Sequence, residues 1–181
     1  PGAEIVSAGS LHSLYVLMLG FSVAGALATG YQLFTARPAS FNIFGDGTGA
    51  IAAHWEKRKS ANANFFNGRI FMMRAPRFAE PFAAELFETN FADFLYWREN
   101  GFPDATVLDG FGSGLLRSAD GAVILGRQGF GHINSGLTYL PGGFIDPRDR
   151  DHNGCVDIAA SIAREIAEET GVAADTLTRQ P

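Results

Sequence analysis

Glu165, Glu168 and Glu169 stand at i, i+3 and i+4 within residues 164–172, Arg-Glu-Ile-Ala-Glu-Glu-Thr-Gly-Val. On a helix this spacing crowds three carboxylates onto one side, and each like-charge pair costs roughly 0.2–0.5 kcal/mol. A bound cation would offset that repulsion. Carboxylate oxygens suit the hard ions Mg²⁺ or Mn²⁺, which also take substrate phosphates as ligands. The plainer reading is a solvated helix face on which Arg164 pairs with Glu168. The residues upstream decide between the two.

The carboxylates require a helix to hold them, and its marks are present. Ile158, Ile162 and Ile166 form an apolar stripe at i+4 spacing, the pattern of a helix packed on a core. Asp157 suits the N-cap and Gly171 the C′ position. About twenty residues earlier lies Leu140-Pro141-Gly142-Gly143, preceded by a strand-like run at 136–139. A Pro-Gly-Gly turn brings main chain close to a ligand and exposes carbonyls. Residues 113–118 and 122–127 are strand-like runs joined by Asp120-Gly121, a hairpin signal. The order is hairpin, strand, glycine turn, loop, acidic helix.

That order resembles the Nudix hydrolases. The family's box runs Gly, five residues, Glu, seven residues, then Arg-Glu-(apolar)-x-Glu-Glu-x-Gly-(apolar). Arg164, Glu165, Ile166, Glu168, Glu169, Gly171 and Val172 match the second half without a gap, and Gly143 matches the opening Gly. The resemblance covers about residue 50 to the end, with its specific motifs between 110 and 172. Two departures stand out. Twenty residues separate Gly143 from Arg164 where the family has thirteen, and Val156 occupies the place of the first box Glu. Asp146, Asp149, Asp151 or Asp157 is available to replace that carboxylate.

The resemblance implies an α+β fold, a Nudix-type α/β/α sandwich with a mixed sheet. It implies Mg²⁺ or Mn²⁺ held by Glu165, Glu168 and Glu169 with the Gly143 carbonyl, and Arg164 orienting the glutamates. The reaction implied is attack of water on the diphosphate of a nucleoside diphosphate derivative. Metal neutralises its charge and lowers the pKa of bound water. Glu168 and Glu169 are candidate general bases, beside a base beyond residue 181. That fold continues after its box with more strands and a second helix, so the resemblance also implies a fragment, or completion by another segment. A non-catalytic nucleotide- or protein-binding domain and a membrane scaffold are the competing classes. Harmless substitution of the glutamates would mark the scaffold.

Asp149-x-Asp151-x-Asn153-Gly154-x-x-Asp157 has the form of half an EF-hand loop. Its twelfth position is Ala160 rather than Glu, and Pro141-Gly142-Gly143 argues against a preceding helix. A turn that caps the next helix is expected there, and Ca²⁺ at Asp149, Asp151 and Asn153 is not.

At 181 residues and net charge −5, with pI near 5.3, the chain carries no basic stripe, so polymeric nucleic acid is not an expected partner. Cys155 is the single cysteine, which excludes an internal disulfide and a thiolate zinc site. The four histidines lack ligand spacing; His132, just before the glycine turn, is best placed to face a diphosphate.

Residues 14–34 carry no charge, and as a helix they would rise about 31 Å, enough to cross a bilayer core. Arg37, Lys57, Arg58 and Lys59 follow, whereas only Glu4 precedes, so a membrane-anchored protein with its hydrolase domain cytoplasmic is expected. A signal segment lacks its basic n-region, and Ser22, Thr29 and Gln32 leave a buried helix open. The organisation expected is an N-terminal segment 1–40, a linker 41–49 and a Nudix-like domain 50–181. Within the last, residues 50–58 read as helix and 65–73 as a strand pair around Asn67-Gly68. Residues 84–90 read as strand and 91–99 as a helix ending at Gly101.

Overall fold

Residues 70–73, Ile-Phe-Met-Met, leave no polar side for solvent, so a strand carrying them must be covered on both faces. The computed structural model places them in such a strand. It describes the backbone of residues 4–5, 11–21, 32–36, 48–77, 82–177 and 179–180, and side chains within 48–77 and 83–177. In chain order the strands are β1 (Glu4–Ile5), β2 (Leu11–Phe21), β3 (Gln32–Ala36), β4 (Arg69–Arg77), β5 (Phe82–Asn90) and β6 (Gly110–Ser118). They continue with β7 (Val123–Ile124), β8 (Gly126–Arg127), β9 (Thr138–Tyr139), β10 (Gly142–Phe144), β11 (Cys155–Val156) and β12 (Arg179–Gln180). The helices are α1 (Thr48–Ala61), α2 (Phe91–Glu99) and α3 (Ile158–Thr170).

The class is α+β. One sheet runs β10-β6-β2-β12 with β7 also on β6, a second runs β11-β3-β5-β4, and a third β1-β8-β9. Pairing is antiparallel except β3 with β5 and β12 with β2, so the first two sheets are mixed. β4 and β5 pair from Arg69↔Asn90 to Arg77↔Ala83. Phe71 and Met73 point into one cluster with Ile162 and Ile166, while Ile70 and Met72 point into another with Phe94 and Trp97. Both sides of β4 are thereby covered.

α2 begins where sequence reading puts it. The Asp93 carboxylate accepts from the Asn90 N–H at 3.0 Å and from Thr89 Oγ1 at 2.6 Å, tying down the first turn. Gly101, at φ 77°, ends it. The Asp120-Gly121 hairpin also forms, pairing Leu116↔Ile124 and Arg117↔Val123. Its second strand is broken, since Gly126 and Arg127 leave for the sheet of β9 and β1.

Two expectations need correcting. Residues 65–73 are not a hairpin: Asn67 and Gly68 belong to the connection from α1, where Asn67 Oδ1 accepts from the Ala92 N–H and the Gly68 carbonyl from the Phe91 N–H. The partner of β4 comes from β5, so the dipeptide clasps the start of α2. Pro141-Gly142-Gly143 is likewise no free turn, because β10 pairs with β6 from Gly142↔Ser113 to Phe144↔Phe111. Of the apolar stretch 14–34, residues 14–21 and 32–34 belong to β2 and β3, while residues 22–31 of the expected helical span lie outside the described residues. Among the described residues no helix is long and apolar enough to cross a membrane.

The contact that fixes α3 is between isoleucine and glycine. A Cβ at Gly112 would lie 2.7 Å from Ile162 Cγ1, and one at Gly114 2.5 Å from Ile166 Cδ1. Absent side chains on one face of β6 let the helix settle against the sheet. Gly114→Val is therefore expected to destabilise by about 1–3 kcal/mol through overpacking. Gly49→Ala, in α1 with open space around it, should be neutral or stabilising by roughly 0.5–1 kcal/mol. Urea denaturation of the two variants checks the contrast; equal midpoints would contradict the close packing.

Candidate functional site

α3 is built to hold its polar side still. The Asp157 side chain accepts from the Ala160 N–H at 3.0 Å, and Gly171 closes the helix in the left-handed region with its N–H on the Ala167 carbonyl. Ile158, Ile162 and Ile166 are buried. With that stripe fixed against β6, Glu165 and Glu169 must come up beside β10.

The Gly142 N–H donates to Glu169 Oε2 at 3.0 Å. A Cβ at Gly143 would run into the Glu165 carboxylate, and one at Gly142 into the Gly112 carbonyl. Both glycines are therefore required by close approach, one to a carboxylate and the other to a neighbouring strand. Glu165, Glu168, Glu169, Gly142 and Gly143 line one cavity of about 850 Å³, together with Asp146, Arg148 and His132. Phe66, Phe91 and Phe144 give it an apolar wall. The four residues expected to act on a metal lie together, and His132 shares their cavity.

Arg164 sits at the hub of the charge network. It contacts Asp149 at 2.9 Å, Glu165 at 2.7 Å, Glu168 at 3.4 Å and Asp146 at 3.6 Å. Although burial opposes its charge, the bond and field of Asp149, with Glu165 and Asp146, raise its pKa. Burial pushes the Glu165 carboxyl up to about 7, Arg164 opposing and Glu168, Glu169 and Asp149 adding to it. Burial also raises Glu169, against the Gly142 hydrogen bond and with the charge of Glu168. Bringing carboxylates together out of water is the cause in both cases.

The loop between β10 and α3 supplies two residues to this network. The side chain of Asp149, 3% exposed, packs against Arg164. Its other oxygen accepts from the Asp146 N–H at 2.9 Å. Of Asp146, Asp149, Asp151 and Asp157, it is the one that holds Arg164 most closely. Asp151 accepts from the N–H groups of Asn153 and Cys155, and Asp157 caps α3. The loop's carboxylates thus bind their own chain.

Arg148, from the same loop, was not singled out by sequence reading. It lines the cavity, pairs with Asp146 at 2.6 Å and approaches Glu168 to 3.6 Å. The signal was a cation inside an Asp-rich loop, masked by the EF-hand-like pattern. Asp109 was missed as well. It is 7% exposed, and burial, partly offset by the charge of Arg98, pushes its carboxyl up to about 7. A single carboxylate at the mouth of a strand carries no spacing pattern by which to recognise it.

Among the described residues, no group of three or more His, Cys, Asp or Glu side chains is gathered so as to hold a metal ion. The glutamates lean on protein donors instead, Glu165 on Arg164 and Glu169 on the Gly142 N–H. The donor chemistry still suits a hard divalent cation, because three carboxylates and the Gly143 main chain face one cavity.

A family of unknown function (DUF6949) matches residues 11–56. That stretch takes in β2, β3 and part of α1 and stops before every residue lining the cavity. No curated protein matches the chain.

Removing Arg164 would leave the Asp149 charge buried and uncompensated. Arg164→Ala is expected to destabilise by about 3 kcal/mol, and Arg164→Ala with Asp149→Ala by clearly less than the sum of the single changes. A double-mutant cycle in urea measures the coupling. Simple additivity would show that the pair does not act as a unit.

Proposed function

We propose that this chain is a Nudix-type hydrolase that uses Mg²⁺ or Mn²⁺ to cleave the diphosphate linkage of a nucleoside diphosphate derivative. The observation that carries the reading is the convergence of Glu165, Glu168 and Glu169 with the Gly142–Gly143 main chain and Arg148 on one cavity. Glu165, Glu168, Glu169 and the Gly143 carbonyl would hold the cation, which supplies neutralisation of the diphosphate and a more acidic water. The chain's own residues do the rest. Arg148, largely exposed at the rim, offers a guanidinium to a phosphate. Arg164, clamped by Asp149, orients Glu165 and Glu168 without lining the cavity. Glu168, half exposed and facing the cavity, is placed to take a proton from an attacking water.

A second reading has one observation in its favour. Protein donors already engage the glutamates, as they would in a Nudix-like domain that binds a nucleotide or a protein without catalysis.

Incubation of the full chain with Mg²⁺ and a panel of nucleoside diphosphate derivatives separates the two. Release of nucleoside monophosphate, abolished by chelation and lowered about 10²-fold or more by Glu168→Gln, is the result expected of the hydrolase. Binding without cleavage of any derivative would support the second reading. Cleavage undiminished in Glu168→Gln would remove Glu168 from the mechanism.

A further inference from the structure

Beside the glutamate cavity lies another, of about 330 Å³. It shares Gln128, Ile133, Gly142, Gly143 and Phe144 with the glutamate cavity, so the two border each other along two segments of the chain. Its walls include Phe94, Phe111, Tyr139 and Phe144, and its polar groups include Asp109 and Arg98. Flat aromatic walls around such a volume suit a planar ring.

Asp109 is the anomaly in it. The residue is 7% exposed, and its Oδ1 is buried with no hydrogen-bond partner among the described residues. Arg98, the cation of the same cavity, donates to Asn134 Oδ1 at 2.9 Å. Buried polar atoms in folded proteins are nearly always paired, so a carboxylate oxygen without a hydrogen-bond partner, on a residue that lines a cavity, needs a reason. An ionised carboxylate is an acceptor at both oxygens. Its match is a ligand edge with two adjacent N–H donors. Adenine and cytosine set a donor beside an acceptor, and uracil sets one N–H between two carbonyls. Guanine presents N1–H and its exocyclic amine side by side.

We propose that this second cavity seats the substrate's base and that Asp109 selects guanine by accepting from N1–H and the exocyclic amine. The proposal rests on the nucleoside diphosphate reading above, which puts the diphosphate of the same ligand at the glutamates.

Equilibrium dialysis of the full chain with guanosine, inosine and xanthosine tests it, for wild type and Asp109→Asn. Wild type should hold guanosine at least about tenfold more tightly than inosine, which lacks the amine. In Asp109→Asn the preference should turn to xanthosine, whose O2 accepts where the amine donated. The melting temperature of that variant should hold or rise, because the desolvation cost of a buried carboxylate is removed. Equal binding of the three nucleosides, or an unchanged order in Asp109→Asn, overturns the proposal. So does a fall of ten degrees or more in melting temperature, which would make Asp109 structural.

Hydrolysis of GDP-glucose and UDP-glucose with Mg²⁺ separates the two levels. Cleavage of both at equal kcat/KM, without nucleoside discrimination, sinks the base pocket and leaves the hydrolase. Asp109-dependent discrimination without cleavage of either leaves the base pocket and sinks the hydrolase.

Discussion

The arrangement depends on how closely α3 can approach β6. Gly112 and Gly114 present no side chains where Ile162 and Ile166 press against the strand. A helix seated one methyl group farther out would lift its glutamates away from β10. The Gly142 N–H could then no longer reach Glu169, and Glu165 would no longer abut Gly143. Protein interiors transmit such displacements because they are close-packed. Glycine in the strand and isoleucine in the helix form one device, whose output is the position of carboxylates.

Charge distribution around α3 follows from that position. Three glutamates beside a main-chain wall repel one another, and burial raises both Glu165 and Glu169. Arg164 answers from the same helix, and the loop between β10 and α3 holds Arg164 in turn through Asp149. A loop whose residue pattern looks like a calcium site thus works as a clamp on a helix. Arg150 fastens its far end, pairing with Glu88 at 3.2 Å and lying over the Phe71 ring. Rigidity in the loop serves the arginine, and rigidity in the arginine serves the glutamates.

Local signals in the sequence proved readable where the physics was local. The isoleucine stripe, the Asp157 cap, the Gly171 terminus and the Asp120-Gly121 hairpin each rest on neighbours within a few residues, and each forms. Reading failed where a distant partner decided the outcome. Asn67-Gly68 has the composition of a hairpin, yet Ala92 and Phe91 take its polar groups. Pro141-Gly142-Gly143 has the composition of a turn, but β6 recruits it as a strand. Asp146, Asp149 and Asp151 were legible as carboxylates and not as the groups that hold Arg148, Arg164 and the loop's own main chain. The glycines at 112 and 114 carried a usable signal, since spacing two along a strand marks a face open to close approach. Asp109 carried none, because its meaning comes from burial.

The shared wall has a geometric consequence. β10 is three residues long, Gly142–Phe144, and two of its residues lack side chains. One face meets the glutamates of α3. Beyond it, Phe144 stacks edge-on with Phe94 of α2 at 4.9 Å and borders both cavities. A ligand in either cavity therefore lies beside the same short piece of main chain. Glycine makes the wall thin, while pairing with β6 and the packing of Phe144 keep it in place. A molecule with a charged end and a flat end could meet both cavities where Gln128, Ile133 and β10 border them.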